Sequence, residues 1–302
     1  MAAAFAAVYL IWGSTYLAIR FVVETLPPFF MAGTRFIVAG AVLYLVMRLR
    51  GAQRPTKIHW RSVALIGGLM LMGGHGAVVW AEQWIPSGLT SLLIATVPLW
   101  MALLNWITTR EKLNNKTVAG LVLGFAGVGL LLGDVTTMGE EHVTFIIGIT
   151  VVLGALLWAS GSLYSRSAKL PSPPLLATAM EMIAGGLVLL SASLVTGEWM
   201  RVRLDQVSLL SAVSWVYLVM FGSLIGFTCY MYLLKATTVE RVSTYAYVNP
   251  VVALFLGMTL AEEPLSLQNL LAAAIILASV AIITLYGTRQ TAGKENPSRR
   301  KE

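Results

Sequence analysis

Charged residues and cysteine are both scarce in this sequence. Asp, Glu, Lys and Arg make up 12% of the 302 residues, whereas an ordinary soluble domain carries about 25%. A water-soluble fold could not cover the apolar surface that remains. The single cysteine, Cys229, excludes an intramolecular disulfide. The three histidines, His59, His75 and His142, lie in separate regions, so no metal site is predicted.

Motifs for nucleotide binding and catalysis are also missing. No phosphate-binding loop of the type G-x-x-x-x-G-K-S/T occurs, so ATP would have to be handled by another chain. A membrane enzyme should cluster His, Asp or Glu at interfacial depth, and no such cluster is evident. We therefore expect neither a catalytic site nor a cofactor.

Long apolar runs make up most of the sequence. Hydrophobic residues make up 57% of the chain and the mean hydropathy is +0.78. A transmembrane helix needs about 20 mostly apolar residues, and the sequence predicts ten spans. The first has no positive segment before it and is expected to be retained rather than cleaved. The spans are 3–23, 28–48, 62–82, 87–108, 115–133, 145–165, 174–195, 212–234, 240–260 and 267–287.

The charges that do occur alternate in sign from loop to loop. The net charge of +7 does not indicate a nucleic-acid partner, because the basic residues are distributed over alternate loops rather than one face. The positive-inside rule then predicts a multi-pass protein of the bacterial inner membrane with both termini in the cytoplasm. The basic loops carry Arg48, Arg50, Arg54, Lys57 and Arg61, then Arg110, Lys112 and Lys116, then Arg166 and Lys169, then Lys235 and Arg241, and finally the tail 288–302.

The two halves of the chain resemble each other. With an offset of 146, Trp12 matches Trp158 and Arg20 matches Arg166; beyond the second span the offset becomes 152, and Pro98 matches Pro250. We predict one five-helix repeat at 1–135, a second at 144–287 and a flexible basic tail at 288–302. Because the repeat already supplies a pseudo-dimer, a monomer is expected.

Five spans per repeat is an odd number, so the two repeats must enter the membrane from opposite sides. Inverted repeats are a recurring plan of secondary transporters, which bind substrate near the midplane and expose it alternately to each side. The predicted fold class is therefore an all-α integral membrane protein of ten transmembrane helices in two inverted five-helix repeats.

Several motifs also match a known family. They are Trp12-Gly13-Ser14, the paired prolines before spans 2 and 7, the Gly-rich third span, Pro98 and Pro250, and the acidic residues Glu111 and Glu263. In these features the chain resembles the ten-helix EamA-type transporters of the drug/metabolite transporter superfamily, which include bacterial exporters of aromatic amino acids. The resemblance implies a central cavity lined mainly by spans 1, 3, 4, 6, 8 and 9.

Polar and aromatic residues at mid-depth on those spans are the candidate substrate site. An apolar pocket with aromatic walls and a few polar groups suits a small organic ligand. The alternative for each tryptophan is packing between helices, and for His75 it is a bond to a neighbouring helix rather than donation to a substrate carboxylate. The candidates are Trp12, Ser14, His75, Trp100, Trp158 and Asn249.

A second group of residues is predicted to gate or couple transport. Arg35 and Glu181 are repeat counterparts inside the membrane, and whether they form an ion pair depends on the reach of both side chains. Pro98 and Pro250 could hinge or simply kink their helices, and the repeat does not separate these roles. Tyr245 and Tyr247 could form a cytoplasmic gate or an aromatic belt. Glu82 is expected to be solvated at the outer interface.

The sequence thus predicts a secondary transporter that moves small metabolites, foremost amino acids, across the inner membrane by alternating access. The expected partners are a small-molecule substrate and the lipid bilayer. A multidrug or other metabolite exporter of the same fold is the main alternative, and a membrane enzyme, a lipid-handling protein or a channel is a further one.

Overall fold

The computed structural model describes residues 1–110, 114–135 and 141–292, and within these ranges it consists of helices and their connections, without strands. Nine helices of this described part are long and apolar enough to span a membrane, and a tenth is shorter. The ten-helix all-α fold is therefore confirmed. The bounds are α1 Ala2–Val23, α2 Pro28–Leu49, α3 Lys57–Ala81, α4 Ser87–Thr109, α5 Asn115–Val135, α6 Glu141–Ser167, α7 Pro174–Val195, α8 Leu209–Ala236, α9 Tyr245–Leu260 and α10 Leu267–Ala292.

Local sequence explains where the helices begin. Pro28 and Pro174 are the first residues of α2 and α7, where the missing N–H costs nothing and the fixed φ suits the helix.

Of the predicted tail, residues 293–302 lie outside the described part, as does Glu111. The repeat boundaries 1–135 and 144–287 stay predictions.

Both third helices of the repeats contain a π-helical segment. It spans Gly68–His75 in α3 and Leu218–Phe227 in α8. Under the offset of 152, His75 corresponds to Phe227, so the two segments end at equivalent positions. Such segments occur frequently at functional sites because they change the direction of the side chains around them. Periodicity does not reveal them.

The two prolines occupy different positions in their helices. Helix α4 is interrupted after Ile94, and Pro98 is the second residue of the segment that starts at Val97, where a proline is well tolerated. Pro250 lies inside α9 instead. The repeat alignment pairs the two residues, but their positions within the helices differ, and their role as hinges stays a prediction.

Each contact between the halves has a partner contact made by the repeat counterparts of the same residues, as a two-fold relation requires. A Cβ at Gly40 of α2 would lie 2.8 Å from the Ala179 carbonyl of α7, and one at Gly186 of α7 would lie 3.0 Å from the Gly33 carbonyl of α2. Ala179 and Gly33 are themselves counterparts. Helices α5 and α10 pair similarly, and α1 packs on α8 and α9 as α6 packs on α3 and α4. This exchange is what inverted repeats produce.

Candidate functional site

A cavity lies at the seam between the halves. Its volume is about 60 Å³, enough for a few water molecules and well below the roughly 300–1,000 Å³ of pockets that hold drug-sized ligands. Three predicted cavity residues line it, Trp12, His75 and Trp158, together with two predicted gating residues, Arg35 and Tyr245. The remaining lining side chains include Thr15, Tyr16, Ile19, Phe36, Leu71, Val78, Ile94 and Phe227.

Arg35 is the one charged side chain on the cavity lining among the described residues. It is only 3% exposed, and its Nε donates to Ser223 Oγ at 2.8 Å while Nη1 lies 3.2 Å from His75 Nε2. A guanidinium has only donors, so Nε2 must accept, and His75 is held as a neutral ring with its hydrogen on Nδ1. The guanidinium also lies 4.8 Å from the ring of Phe36.

The π segment of α8 makes room for this arginine. A Cβ at Gly222 would lie 2.7 Å from Arg35 Nη2, so a larger residue there would displace the guanidinium from its observed position. Ser223, the next residue, supplies the hydrogen-bond acceptor. Neither was predicted, because their partner is remote in the sequence, 188 positions from Ser223, and the repeat counterpart of Ser223 is Leu71.

An aromatic cluster forms the other wall. Trp12 lies 5.5 Å from Trp158, 4.9 Å from Tyr230 and 5.7 Å from Tyr245 between ring centroids. Trp12 Nε1 donates to the Gly222 carbonyl at 3.1 Å, and Trp158 Nε1 donates to Tyr230 Oη at 3.1 Å. Both tryptophans therefore pack and line the cavity, so the two interpretations were not exclusive. The fully buried Tyr230 was not predicted, because only its contacts with Trp12 and Trp158 on other helices identify it as part of this wall.

The other three cavity candidates lie outside the lining. Ser14 Oγ bonds to the Ile11 carbonyl and to Tyr217 Oη, at 2.8 and 2.6 Å. Trp100 packs on Phe125 with centroids 5.1 Å apart. With its amide nitrogen facing them, Asn249 donates to the Tyr9 and Tyr245 carbonyls at 3.0 and 3.2 Å. Mid-depth position alone did not reveal which helix face each residue occupies.

Arg35 and Glu181 do not form an ion pair. Glu181 lines a separate groove of about 420 Å³ between α7 and α8, beside Thr228, Tyr232 and Lys235. No described side chain or backbone group hydrogen-bonds to its carboxyl oxygens. The other predicted gating tyrosine, Tyr247, donates to the Val280 carbonyl at 2.7 Å and so ties α9 to α10.

Glu82, expected to be solvated, is instead fully buried at the end of α3. Burial raises the pKa of its carboxyl well above the usual range, the nearby Glu263 raises it further, and Arg20 opposes the shift. Arg20 Nη1 donates to the Glu82 backbone carbonyl at 2.7 Å. The expectation was wrong because Arg20 of α1 and Glu263 of the loop after α9 lie beside this helix end, which spacing along the chain does not show.

Glu198, at the same end of the molecule, caps the start of α2. Its Oε2 accepts from the N–H groups of Phe29 and Phe30 at 3.0 and 3.1 Å, at the start of α2. Burial raises the pKa of Glu198, and these two donors, Arg201 and Ser193 oppose the shift. A carboxylate at a helix N-terminus satisfies donors that have no partner within the helix.

Comparisons with known proteins agree with this architecture. The chain is 40% identical over 283 residues to the inner membrane transporter YedA of Escherichia coli K12, covering 92% of this chain and 89% of that protein. It is 24% identical to the transporter YoaV of Bacillus subtilis, covering 94% and 96% of the two chains. The chain also matches a crystal structure with a TM-score of 0.65 at 23% sequence identity. The match covers 93% of this chain and 95% of the chain in that structure, and it shows that the two share a fold.

The relatives and the many apolar helices make this a multi-pass inner membrane transporter rather than an enzyme. The model of the EamA-like transporter family matches twice, at residues 1–133 and 146–285. The chain belongs to the EamA-like transporter family.

Proposed function

We propose that this transporter moves small amphipathic metabolites that carry a carboxylate, amino acids foremost, by alternating access. The observation that carries the proposal is Arg35, a buried guanidinium facing the cavity at the seam of the halves. An ionised group inside the membrane is costly and is usually retained for a ligand or a partner. Arg35 has no carboxylate partner within the described part of the protein, so a substrate carboxylate is the natural one.

The donor arrangement of Arg35 suits a planar anion. Its contacts with Ser223 and His75 use two of five N–H donors and hold the guanidinium in one orientation. Three donors remain, and a guanidinium can bind a carboxylate through two parallel hydrogen bonds. Ser223 and His75 are thus positioning residues, and Arg35 is the residue proposed to contact substrate.

The aromatic wall suits the rest of an amino acid. Trp12, Trp158 and Tyr245 offer apolar surface to a side chain and ring faces to an ammonium group. Since no acidic residue of the described chain lines the cavity, a substrate whose only charge is positive has no ionic partner there. These features favour a zwitterion or an anion.

The cavity volume and the fold support the proposal of alternating access. A space of about 60 Å³ must expand before it accepts an amino acid, and the seam between two inverted halves is where such opening occurs in transporters built on this plan. We propose that both termini lie in the cytoplasm, as the distribution of Lys and Arg predicts, and that a monomer is the working unit in the bilayer.

Counterflow in proteoliposomes tests this proposal. The solutes are an aromatic amino acid, the matching amine without the carboxyl and the matching acid without the amino group. We expect trans-acceleration for both carboxylates, its loss in Arg35→Gln, and retention in Arg203→Gln, an exposed control. Preference for the amine contradicts the substrate assignment, a uniform leak indicates a channel, and chemical change of the solute indicates an enzyme.

Export of cationic compounds is the second candidate, and Glu181 is the observation that favours it. Its buried carboxyl lines the groove between α7 and α8, which also contains Tyr232, and a cationic amphiphile would find both a counter-charge and a ring face there. In the same assay this function predicts counterflow of the amine that depends on Glu181 and not on Arg35.

A further inference from the structure

One end of the molecule holds a second buried acidic site, away from the cavity. There the loop after α9, from the second half, reaches α4 of the first half. Glu263 Oε1 accepts from Ser87 N–H at 2.8 Å and Oε2 accepts from Gly88 N–H at 3.1 Å. These two donors begin α4, where the helix dipole favours negative charge. Glu263 therefore joins the halves as a carboxylate.

Glu82 lies beside this junction without a hydrogen bond of its own. Neither of its carboxyl oxygens has a donor within the described residues, and the same holds for the buried hydroxyl of Ser87. The charged and titratable groups that face Glu82 are Arg20 and Tyr16 from α1 and Glu263 from the loop after α9. Arg20 bonds to the Glu82 main chain and not to its carboxyl.

The repeat shows that the fold does not need this carboxyl. In the second half the counterpart of Arg20 is Arg166, whose Nη1 donates to the carbonyl of Leu234 at 2.7 Å. Leu234 is the counterpart of Glu82. The arginine bond to the end of the third helix thus recurs with an apolar side chain at the equivalent position, so packing does not explain the acid in the first half.

A buried carboxyl without donors and next to a carboxylate is far more stable as the neutral acid. Burial disfavours its charged form, and a like charge nearby disfavours it further. If Glu82 loses its proton, two negative charges from opposite halves face each other in a poorly solvated site, where their repulsion is much stronger than in water. The junction that Glu263 makes with α4 must then separate or hydrate.

We propose that Glu82 is a proton-binding site that controls the junction between the two halves at this end of the transporter. With the proton bound, the junction is closed as observed here. When the proton passes to water on this side, repulsion from Glu263 opens the junction. The inference deepens the proposed function by coupling a proton to alternating access, and it rests on that function only for the link to substrate movement.

Infrared difference spectroscopy of the purified transporter in nanodiscs, without substrate, tests the proton site directly. A protonated buried carboxyl gives a C=O stretching band that disappears on titration with base. We expect this band in the parent protein, where the buried Glu181 also contributes to it, and a weaker band in Glu82→Gln and in Glu82→Leu, which introduces the side chain of the counterpart Leu234. Glu24→Gln, at the same end, should keep it. A band of unchanged intensity in both Glu82 variants overturns the proposal.

Cysteine labelling tests the link to opening. Ser87→Cys is made in a Cys229→Ser background, which otherwise has no cysteine, and its rate with a maleimide is normalised to that of the exposed Arg203→Cys. Below the pKa of Glu82 the ionised fraction rises about tenfold per pH unit, so the normalised rate should rise similarly and should stay low in Glu82→Gln. A flat normalised rate in the parent overturns the coupling. Because no substrate is present, either result is independent of the counterflow assay.

Discussion

Each half of the transporter contributes a third-helix glycine that receives the first-helix tryptophan of the other half. A Cβ at Gly226 would lie 2.5 Å from Trp12 Nε1 and 2.8 Å from its Cδ1, and one at Gly74 would lie 2.9 Å from Trp158 Cβ. An indole ring is rigid, so the clash cannot be relieved by rotating a flexible chain end. Gly226→Ala should therefore displace Trp12 from the cavity wall.

The cost can be worked from these contacts. Overpacking by one methyl group costs about 1–3 kcal/mol, and loss of the Trp12 bond to the Gly222 carbonyl adds about 1 kcal/mol. The helical preference of alanine returns up to about 1 kcal/mol. The net loss is about 2 kcal/mol, which at about 2.1 cal/mol/K of unfolding entropy per residue corresponds to a fall in Tm of roughly 3 °C for a chain of 302 residues.

Thermal unfolding in detergent, followed by tryptophan fluorescence, measures this loss. Gly68→Ala is the matched control, because Gly68 lies in the π segment of α3 and a Cβ added there would have no atom within 4 Å. We expect Gly226→Ala to lower Tm and Gly68→Ala to leave it unchanged or raise it. Equal Tm values for the two variants would refute the reasoning that the glycine is required by the indole.

Three further predictions concern the charged groups. Burial raises the pKa of the Glu82 carboxyl, so the unfolded chain loses this proton first as pH rises, and the free energy of unfolding falls from about pH 4.5 upward. Thermal unfolding measured across pH should show a slope that is flatter in Glu82→Gln by up to about 1.4 kcal/mol per pH unit. An unchanged slope in this variant contradicts the prediction. Glu263→Gln weakens two charge-assisted bonds to α4 and should cost about 1 kcal/mol in the same measurement, whereas an unchanged Tm would show that the cap contributes nothing. Ser223→Ala leaves Arg35 Nε without its acceptor and should raise the KM of a carboxylate substrate about tenfold with little change in Vmax; an equal effect on an uncharged solute would point to general damage.

The helices were predictable because each follows from one local requirement. A membrane span must be about 20 apolar residues long and satisfy its backbone internally, so the ends of α2 and α7 could be read from the sequence almost to the residue. The π segments could not, because they depend on how α3 and α8 pack on other helices. His75 was noticed for its depth, yet its role depends on Arg35, forty positions away.

The burial of carboxyl groups at helix ends was the other feature that could not be predicted from the sequence. Glu82 and Glu198 both lie near predicted interfaces, where a solvated carboxylate is the ordinary outcome. Each is instead covered, Glu82 fully and Glu198 to 2% exposure, by a segment that is remote in the sequence. Which loop crosses which helix end is a tertiary property, and alternation of charge along the chain carries no information about it.

Features that recur in both repeats serve the architecture. The glycine-tryptophan contacts occur in both halves, and Arg20 and Arg166 each bond to a carbonyl at the end of a third helix. A two-fold scaffold needs such contacts twice, because each half must pack against the other in the same way. Their recurrence explains why the repeat could be recognised from sequence.

Three ionisable residues at the cavity and at the proposed proton site break the repeat. Arg35, His75 and Glu82 all belong to the first half, and none is matched by its counterpart: these are Glu181, Phe227 and Leu234. A scaffold whose halves exchange roles can be symmetric, but a bound carboxylate or proton needs a group of one sign in one place. The cavity guanidinium and the proposed proton site therefore lie on the same half, and movement of that half against the other changes the surroundings of both together.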